Sequence, residues 1–294
     1  MNSPEDHPSG PPSPLDGVVF TKGHGTENDF VLYLDPDGRL ELTEDLAAWL
    51  CDRRAGLGGD GAIRAGQQAG RWFMDYRNQD GSLAEMCGNG IRVLVAYLIA
   101  EGQLDLPDGG TVEIATRGGV RQVRREGDQF AVQMGRWAKP ALDIDAQPIV
   151  QVPGMDRPHV GTFITVPNPH VVVEVSALEL KHLFLAVPPV VRPEPDGGAN
   201  IEFACVQPFD PRTGEGRMRL RVFERGVGET KSCGTGVVAS VAAAHAVRPG
   251  SPRTWRVEVP GGTLRVRMHD EDGTAELIGP AELVYKARLS PAAA

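Results

Sequence analysis

The sequence predicts an α+β protein of two pseudo-symmetric domains, each a curved, mainly antiparallel sheet wrapped around a central helix. Three observations carry this reading. Landmarks recur at one spacing along the 294 residues, short β-branched and aromatic segments recur between turn residues, and two helical runs are apolar on nearly every face.

Self-similarity at a fixed spacing is read first, because missing it distorts everything else. Cys87-Gly-Asn-Gly opens the run IRVLVAYLIAEG, and Cys233-Gly-Thr-Gly opens VVASVAAAHAVRPG 146 residues later. Gly118-Gly119 and Gly261-Gly262 lie 143 residues apart, and the strand-ending Gly135 and Gly279 lie 144 apart. Asn28 and Asn168, each opening a β-branched run, lie 140 apart. Four landmarks at nearly one offset imply two copies of one unit.

Within the copies, segments 18–20, 30–34, 72–76, 111–115, 129–134, 171–175, 218–222 and 255–259 read as strands, bounded by Gly, Pro, Asp or Asn. Between Ile91 and Ile99 only Arg92 is charged, and Val237 to Val247 holds no charge, so both helices are expected to be enclosed by protein. Thr43, followed by Glu44 and Asp45, caps an ordinary amphipathic helix that Gly56 stops, and 178–185 forms another. The expected division is a disordered tail over 1–16, an N-terminal half over 17–140 and a C-terminal half over 141–281. A last strand near 282–290 is free to return to the first half.

Composition narrows the partners. Hydrophobic residues make up 41% and charged residues 23%, as in soluble globular proteins, and the net charge of −9 provides no basic field for nucleic acid. No uncharged apolar run reaches the roughly 18 residues of a membrane span. The opening MNSPEDHPSGPPSPLDG carries Glu5, Asp6, Asp16 and five prolines where an export signal needs a basic start and an apolar stretch, so the expected compartment is the cytoplasm. In that reducing environment Cys51, Cys87, Cys205 and Cys233 are expected to be free thiols.

Two motifs invite functional readings. Gly56-Leu-Gly58-Gly-Asp-Gly61 matches G-x-G-x-x-G, but it closes a helix instead of following a strand and opening one, so it reads as a tight loop and not a nucleotide site. Cys51, beside Trp49 and Leu50, and Cys205, in IEFACV, read as small buried hydrophobes. Cys87 and Cys233 differ. Each precedes Gly-x-Gly at a helix start, where unpaired N–H groups and the helix dipole are expected to lower a thiol's pKa and to bind a carboxylate nearby.

A metal site would need closely spaced Cys or His pairs, which are lacking, and a papain-type nucleophile would leave one cysteine idle. Inversion at carbon needs one group to take a proton from one face while another delivers a proton to the opposite face. A duplicated domain supplies that geometry. A thiol redox pair or a binding protein without turnover stays open as an alternative.

The stretches KGHGTENDFVL (22–32), NQDGSLAEMCGNG (78–90), NPHVVV (168–173) and ERGVGETKSCGTG (224–236) resemble the diaminopimelate epimerase family, in order and spacing from Val18 to Leu289. The resemblance implies that family's two-domain fold and the interconversion of LL- and meso-2,6-diaminopimelate for lysine and peptidoglycan synthesis. It also implies no pyridoxal phosphate, no metal, and a homodimer. By the same resemblance Cys87 and Cys233 are the acid/base thiols, and Gly88, Asn89, Gly234 and Thr235 cradle the carboxylate at the reacting carbon. Asn28, Asn78, Asn168 and Asn200 hold polar groups of the substrate, Arg225 the distal carboxylate, and Glu224 and His170 stand beside the thiols. Many relatives carry Gln where this chain has Gly61. A proline racemase-like isomerase is the nearest alternative.

Overall fold

β-Branched and aromatic runs become strands, and the two all-apolar runs become helices, in the same order along both halves of the chain. The computed structural model describes residues 15, 17–141, 147–153, 155–209 and 211–289. The first half contains β1 (Val19–Gly25), β2 (Asn28–Leu34), α1 (Glu44–Cys51), β3 (Gly61–Gln68) and β4 (Arg71–Asn78). It continues with α2 (Gly88–Ala100), β5 (Thr111–Thr116), β6 (Gly119–Glu126) and β7 (Gln129–Arg136). The second half contains β8 (Ile149–Gln151), β9 (His159–Val166), β10 (Asn168–Glu174), α3 (Ala177–His182), β11 (Val190–Arg192) and β12 (Asn200–Gln207). It continues with β13 (Gly216–Glu224), β14 (Gly228–Thr230), α4 (Gly234–Val247), β15 (Thr254–Val259), β16 (Gly262–His269), β17 (Thr274–Pro280) and β18 (Glu282–Arg288).

β1 to β7 lie side by side in chain order, parallel at β2–β3 and β4–β5 and antiparallel elsewhere. β9, β10, β12, β13, β15, β16 and β17 repeat that order and those directions. The parallel steps fall where a helix crosses over, because parallel neighbours need a long connection: α1 and α2 in the first half, α3 and α4 in the second. The two sheets join edge to edge through antiparallel β7 and β17. β18 pairs with β1, and Ala138, just past β7, bridges Thr165 of β9 in the matching place. β8 sits between β9 and β11, and β14 extends the sheet beside β13.

The sheets wrap α2 and α4 so closely that Gly88–Val95 and Gly236–Ala244 are buried without interruption. One apolar core runs through both halves, from Phe30 and Ile63 to Val257 and Leu277. Smaller clusters lie under α1 (Phe20, Tyr33, Leu46, Leu50, Cys51) and α3 (Val171, Leu180, Phe203, Cys205). Burying such side chains contributes about 1.5–3 kcal/mol each. α1 starts at the Thr43 cap as expected but ends at Cys51, short of Gly56, because the Asp52 carboxylate accepts the Arg54 and Ala55 N–H groups at 2.7 Å and turns the chain there. α3 is capped by Ser176 in a reciprocal box with Glu179. Of the tail expected over 1–16, only Leu15 is described, and it is buried in the cluster under α1; the rest of that expectation lies outside the described residues. Among the described residues no helix is long and apolar enough to cross a membrane.

The N-termini of α2 and α4 meet at the join. A Cβ on Gly234 would lie 3.4 Å from Gly88 Cα, and one on either glycine would lie 3.0 Å from Leu277 Cδ2. Glycine at both places allows the approach, and Leu277, fully buried on β17, plugs the seam. Leu277→Ala leaves a cavity between the two helix starts and is expected to cost about 2–5 kcal/mol, measured as a lowered urea midpoint with an unchanged slope.

Candidate active site

Cys87 and Cys233 are the N-cap residues of α2 and α4. Cys87 Sγ accepts the Gly90 N–H at 3.4 Å and donates to Asn28 Oδ1 at 3.7 Å. Cys233 Sγ lies 3.5 Å from Thr235 Oγ1, which accepts from Asn168 Nδ2 at 3.4 Å. Asn89 ties the two cysteine loops together: its side-chain N–H₂ donates to Asn28 Oδ1 at 3.2 Å and to the carbonyl of Ser232, the residue before Cys233, at 3.0 Å. Arg92 donates to Asn89 Oδ1 at 2.9 Å, and since a guanidinium only donates, this fixes which way the amide points.

Asn28, at the start of β2, is held from behind. Its N–H₂ donates to Asp60 Oδ2 at 2.9 Å, and Arg53 joins Asp60 (2.7 Å) to Asp29 (2.9 and 2.8 Å), which also pairs with Lys22 at 2.6 Å. Burial works against the Asp29 charge, but hydrogen bonds from Arg53 and Lys22 hold its carboxyl well below the usual range. The Gly-rich loop thus delivers Asp60 to Asn28.

In the second half, His170 Nδ1 lies 2.7 Å from Glu202 Oε1, and Nε2 lies 3.1 Å from Asn168 Oδ1; both side chains of this pair are fully buried. Glu224 accepts hydrogen bonds from Thr230 and Cys233, and its charge acts on Cys87 as well. Burial pushes the Glu224 carboxyl up. Asn200 Oδ1 accepts the Arg225 backbone N–H at 2.9 Å, and the exposed Arg225 guanidinium donates to Gly197 O at 2.6 Å. Asn78 Oδ1 accepts from the Tyr76 hydroxyl at 3.0 Å.

The expectation of low-pKa thiols is corrected. Burial pushes Cys87 up to about 11, outweighing the N–H groups of Gly90 and Asn89, with Glu224 adding to the rise. Cys233 is raised well above its ordinary value by burial, then by Glu224 and Glu202. A helix N-terminus supplies only about 0.3–1 kcal/mol at an exposed site, too little to offset removal of a thiolate from water. Cys51 and Cys205 are buried in the satellite clusters, and all four thiols are free.

Gly61 has a steric cause. A Cβ there would lie 2.5 Å from Tyr76 Cε2 and 2.7 Å from the Arg77 carbonyl oxygen, so the Tyr76 ring fills the space a longer side chain would take. The register makes Asn200 its counterpart, since Gly61 pairs with Phe30 as Asn200 pairs with His170. Asp60, Tyr76, Arg92, Glu202 and Ser232 were not among the candidate site residues that the sequence offered. Laying one half over the other would have flagged Glu202 and Arg92, as charges opposite the aliphatic Ile63 and Val238.

Solved structures share the architecture. A phenazine biosynthesis protein of the PhzF family from Bacillus anthracis matches with a TM-score of 0.65 at 16% identity, over 93% of this chain and 99% of that one. A hydroxyproline epimerase from Agrobacterium vitis matches with a TM-score of 0.61 at 14% identity, over 92% and 91%. Fold and site therefore define a class, the duplicated α+β proteins whose halves each bring a helix start to a common join, here with a cysteine on both. The diaminopimelate epimerase family model matches residues 20–139 and 162–284. Diaminopimelate epimerases of Thermobifida fusca (43% identical, 90% of this chain and 95% of that one) and Corynebacterium glutamicum (39%, 91% and 96%) are similar along nearly their whole length. The chain belongs to the diaminopimelate epimerase family, a family of isomerases.

Two outcomes follow from this geometry. Gly61→Gln forces the Tyr76 ring off Asn78 and is expected to cost about 1–3 kcal/mol in urea unfolding. Because the folded pKa of Cys87 is raised, the folded state keeps a proton that the unfolded chain releases; its contribution is intact below the ordinary thiol value of 9.0 and declines as pH rises through about 11. Urea midpoints followed from pH ~8 to ~11 should therefore fall less steeply in Cys87→Ser than in the parent protein.

Proposed function

We propose that the protein interconverts LL- and meso-2,6-diaminopimelate with Cys87 and Cys233 as a thiolate/thiol pair, one on each face of the α-carbon. The observation that carries this is the meeting of two cysteine-capped helix starts, laced together by Asn89 and answering to one carboxylate, Glu224. The working units are an N-terminal half over 17–140, completed by the strand near 282–290, and a C-terminal half over 141–281.

In the forward step one thiolate takes the α-proton, the electron pair left on carbon delocalises into the substrate carboxylate, and the opposite thiol donates its proton to the other face. The first sulfur ends as thiol and the second as thiolate, so a turnover exchanges their protons. The N–H groups of Gly88, Asn89, Gly234 and Thr235 are aimed at the carboxylate, where charge accumulates; a donor of this kind is worth about 2.7–4 kcal/mol. Burial that raises a thiol's pKa makes its thiolate a stronger base, which narrows the gap to a weakly acidic C–H. The α-ammonium brings a positive charge to Glu224, and His170, held by Glu202, orients Asn168. Asn28, Asn78 and Asn200 hold polar groups, and Arg225 receives the distal carboxylate.

Cys87→Ala and Cys233→Ala are each expected to lower epimerisation by roughly 10²–10⁴-fold or more with the fold intact, whereas Cys51→Ala stays near the parent rate. The check is α-proton exchange of LL-diaminopimelate in deuterated water. No exchange by the parent protein, or equal damage from Cys51→Ala, sinks the reading.

A further inference from the structure

Arg92, the lone charge in the apolar run of α2, has no part in the chemistry above. Its guanidinium is fully buried, and among the described residues it meets only neutral acceptors: Gly88 O at 3.0 Å, Asn89 Oδ1 at 2.9 Å and Pro280 O at 3.2 Å. The strands packed on it bring backbone: a Cβ on Gly25 of β1 would lie 2.8 Å from its Nη2, and one on Gly279 of β17 would lie 3.4 Å from its Nε. Burying an unpaired cation costs several kcal/mol, enough to push Arg92 down to about 10. Among the described residues, the ionisable group within its electrostatic reach is Cys87, and each favours the other's charged form.

The second half reverses the polarity. Val238 stands where the first half has Arg92, and Glu202, beside the start of α4, stands where the first half has Ile63; all four are fully buried. The repeat has become electrically unlike at its two cysteines, a cation behind Cys87 and carboxylates around Cys233.

We propose that Arg92 is a positioning residue with two tasks: it is the resident counter-charge that allows Cys87 to ionise inside a buried site, and it locks the Asn89 amide with its N–H₂ toward Asn28 and Ser232. Among the described residues, three groups face Cys87 with a charge or a titratable proton: Arg92 from its own helix, Glu224 from β13 and the Tyr76 phenol from β4. Of these, Arg92 alone favours the thiolate. The proposal rests on the two-thiol reading, since a Cys87 that never ionises needs no counter-charge.

The test is alkylation of the intact protein by iodoacetamide across pH, with each cysteine followed by peptide mass spectrometry. The alkylation itself uses no substrate, so the Cys87 midpoint is separate from failure of the epimerase assay. In Arg92→Met the Cys87 midpoint rises by about one unit or more, and its alkylation below both midpoints slows about tenfold or more, while Cys233 moves by less than about a third of that. Arg92→Lys keeps the charge but not the planar fork, so the Cys87 midpoint stays within about half a unit while KM for LL-diaminopimelate rises more than kcat falls. An unchanged Cys87 midpoint in folded Arg92→Met overturns the proposal, and so does an equal shift at both thiols. Should Arg92→Met not fold, Arg92→Gln is read in its place. A Cys87 shift in Arg92→Lys as large as in the neutral variant overturns the proposal on its own.

Discussion

Two helix N-termini held against each other are the constraint on which the rest of the structure depends. Each carries a partial positive charge and unpaired N–H groups, so their approach at Gly88 and Gly234 is electrostatically unfavourable until something negative lies between them. The scaffold enforces the approach by strand pairing. β7 and β17 fuse the two sheets, and Leu277 wedges the seam from the β17 side. The Asn89 side chain then fixes the relative placement of the two cysteine loops through Asn28 and Ser232.

Opposing effects act on the thiols, and their magnitudes decide the result. The dipole and N–H groups favour thiolate, while desolvation and the nearby carboxylates favour thiol, and the second set prevails. Under the proposed two-thiol reading this suits proton abstraction from carbon. A thiol made acidic by its surroundings yields a weak base, whereas a thiolate formed reluctantly in a dry site is a strong one. The apolar enclosure of α2 and α4 thus sets the protonation of the thiols as well as building the core.

Much of this was legible in the sequence. The offset shared by Cys87/Cys233, Gly118/Gly261, Gly135/Gly279 and Asn28/Asn168 corresponds to matching positions in two sheets of identical order. The helices after the cysteines were readable because a run such as VVASVAAAHAV has no polar face to show water. The thiols' protonation was not readable, because burial is a sum over residues distant in sequence, such as Met134, Glu224 and Leu277. The end of α1 was missed because the stop lies in the Asp52 side chain, not in Gly56. Asp60 and Tyr76 act through Asn28 and Asn78, and contacts relayed in this way leave no local pattern.

The pairing of β18 with β1 bears on the order in which the chain acquires its structure. β1 and its neighbour β18 are separated by every other element of the fold, so the first half, though translated first, has an unfilled strand position beside Val19–Gly25 until Glu282–Arg288 has been made. Closing so long a loop is entropically costly and slow, and the exposed edge is open to wrong partners meanwhile. Vectorial synthesis therefore yields no finished N-terminal unit that waits for its twin. The two halves mature together, and the arrival of β18 beside β1 sets the moment at which the scaffold becomes whole.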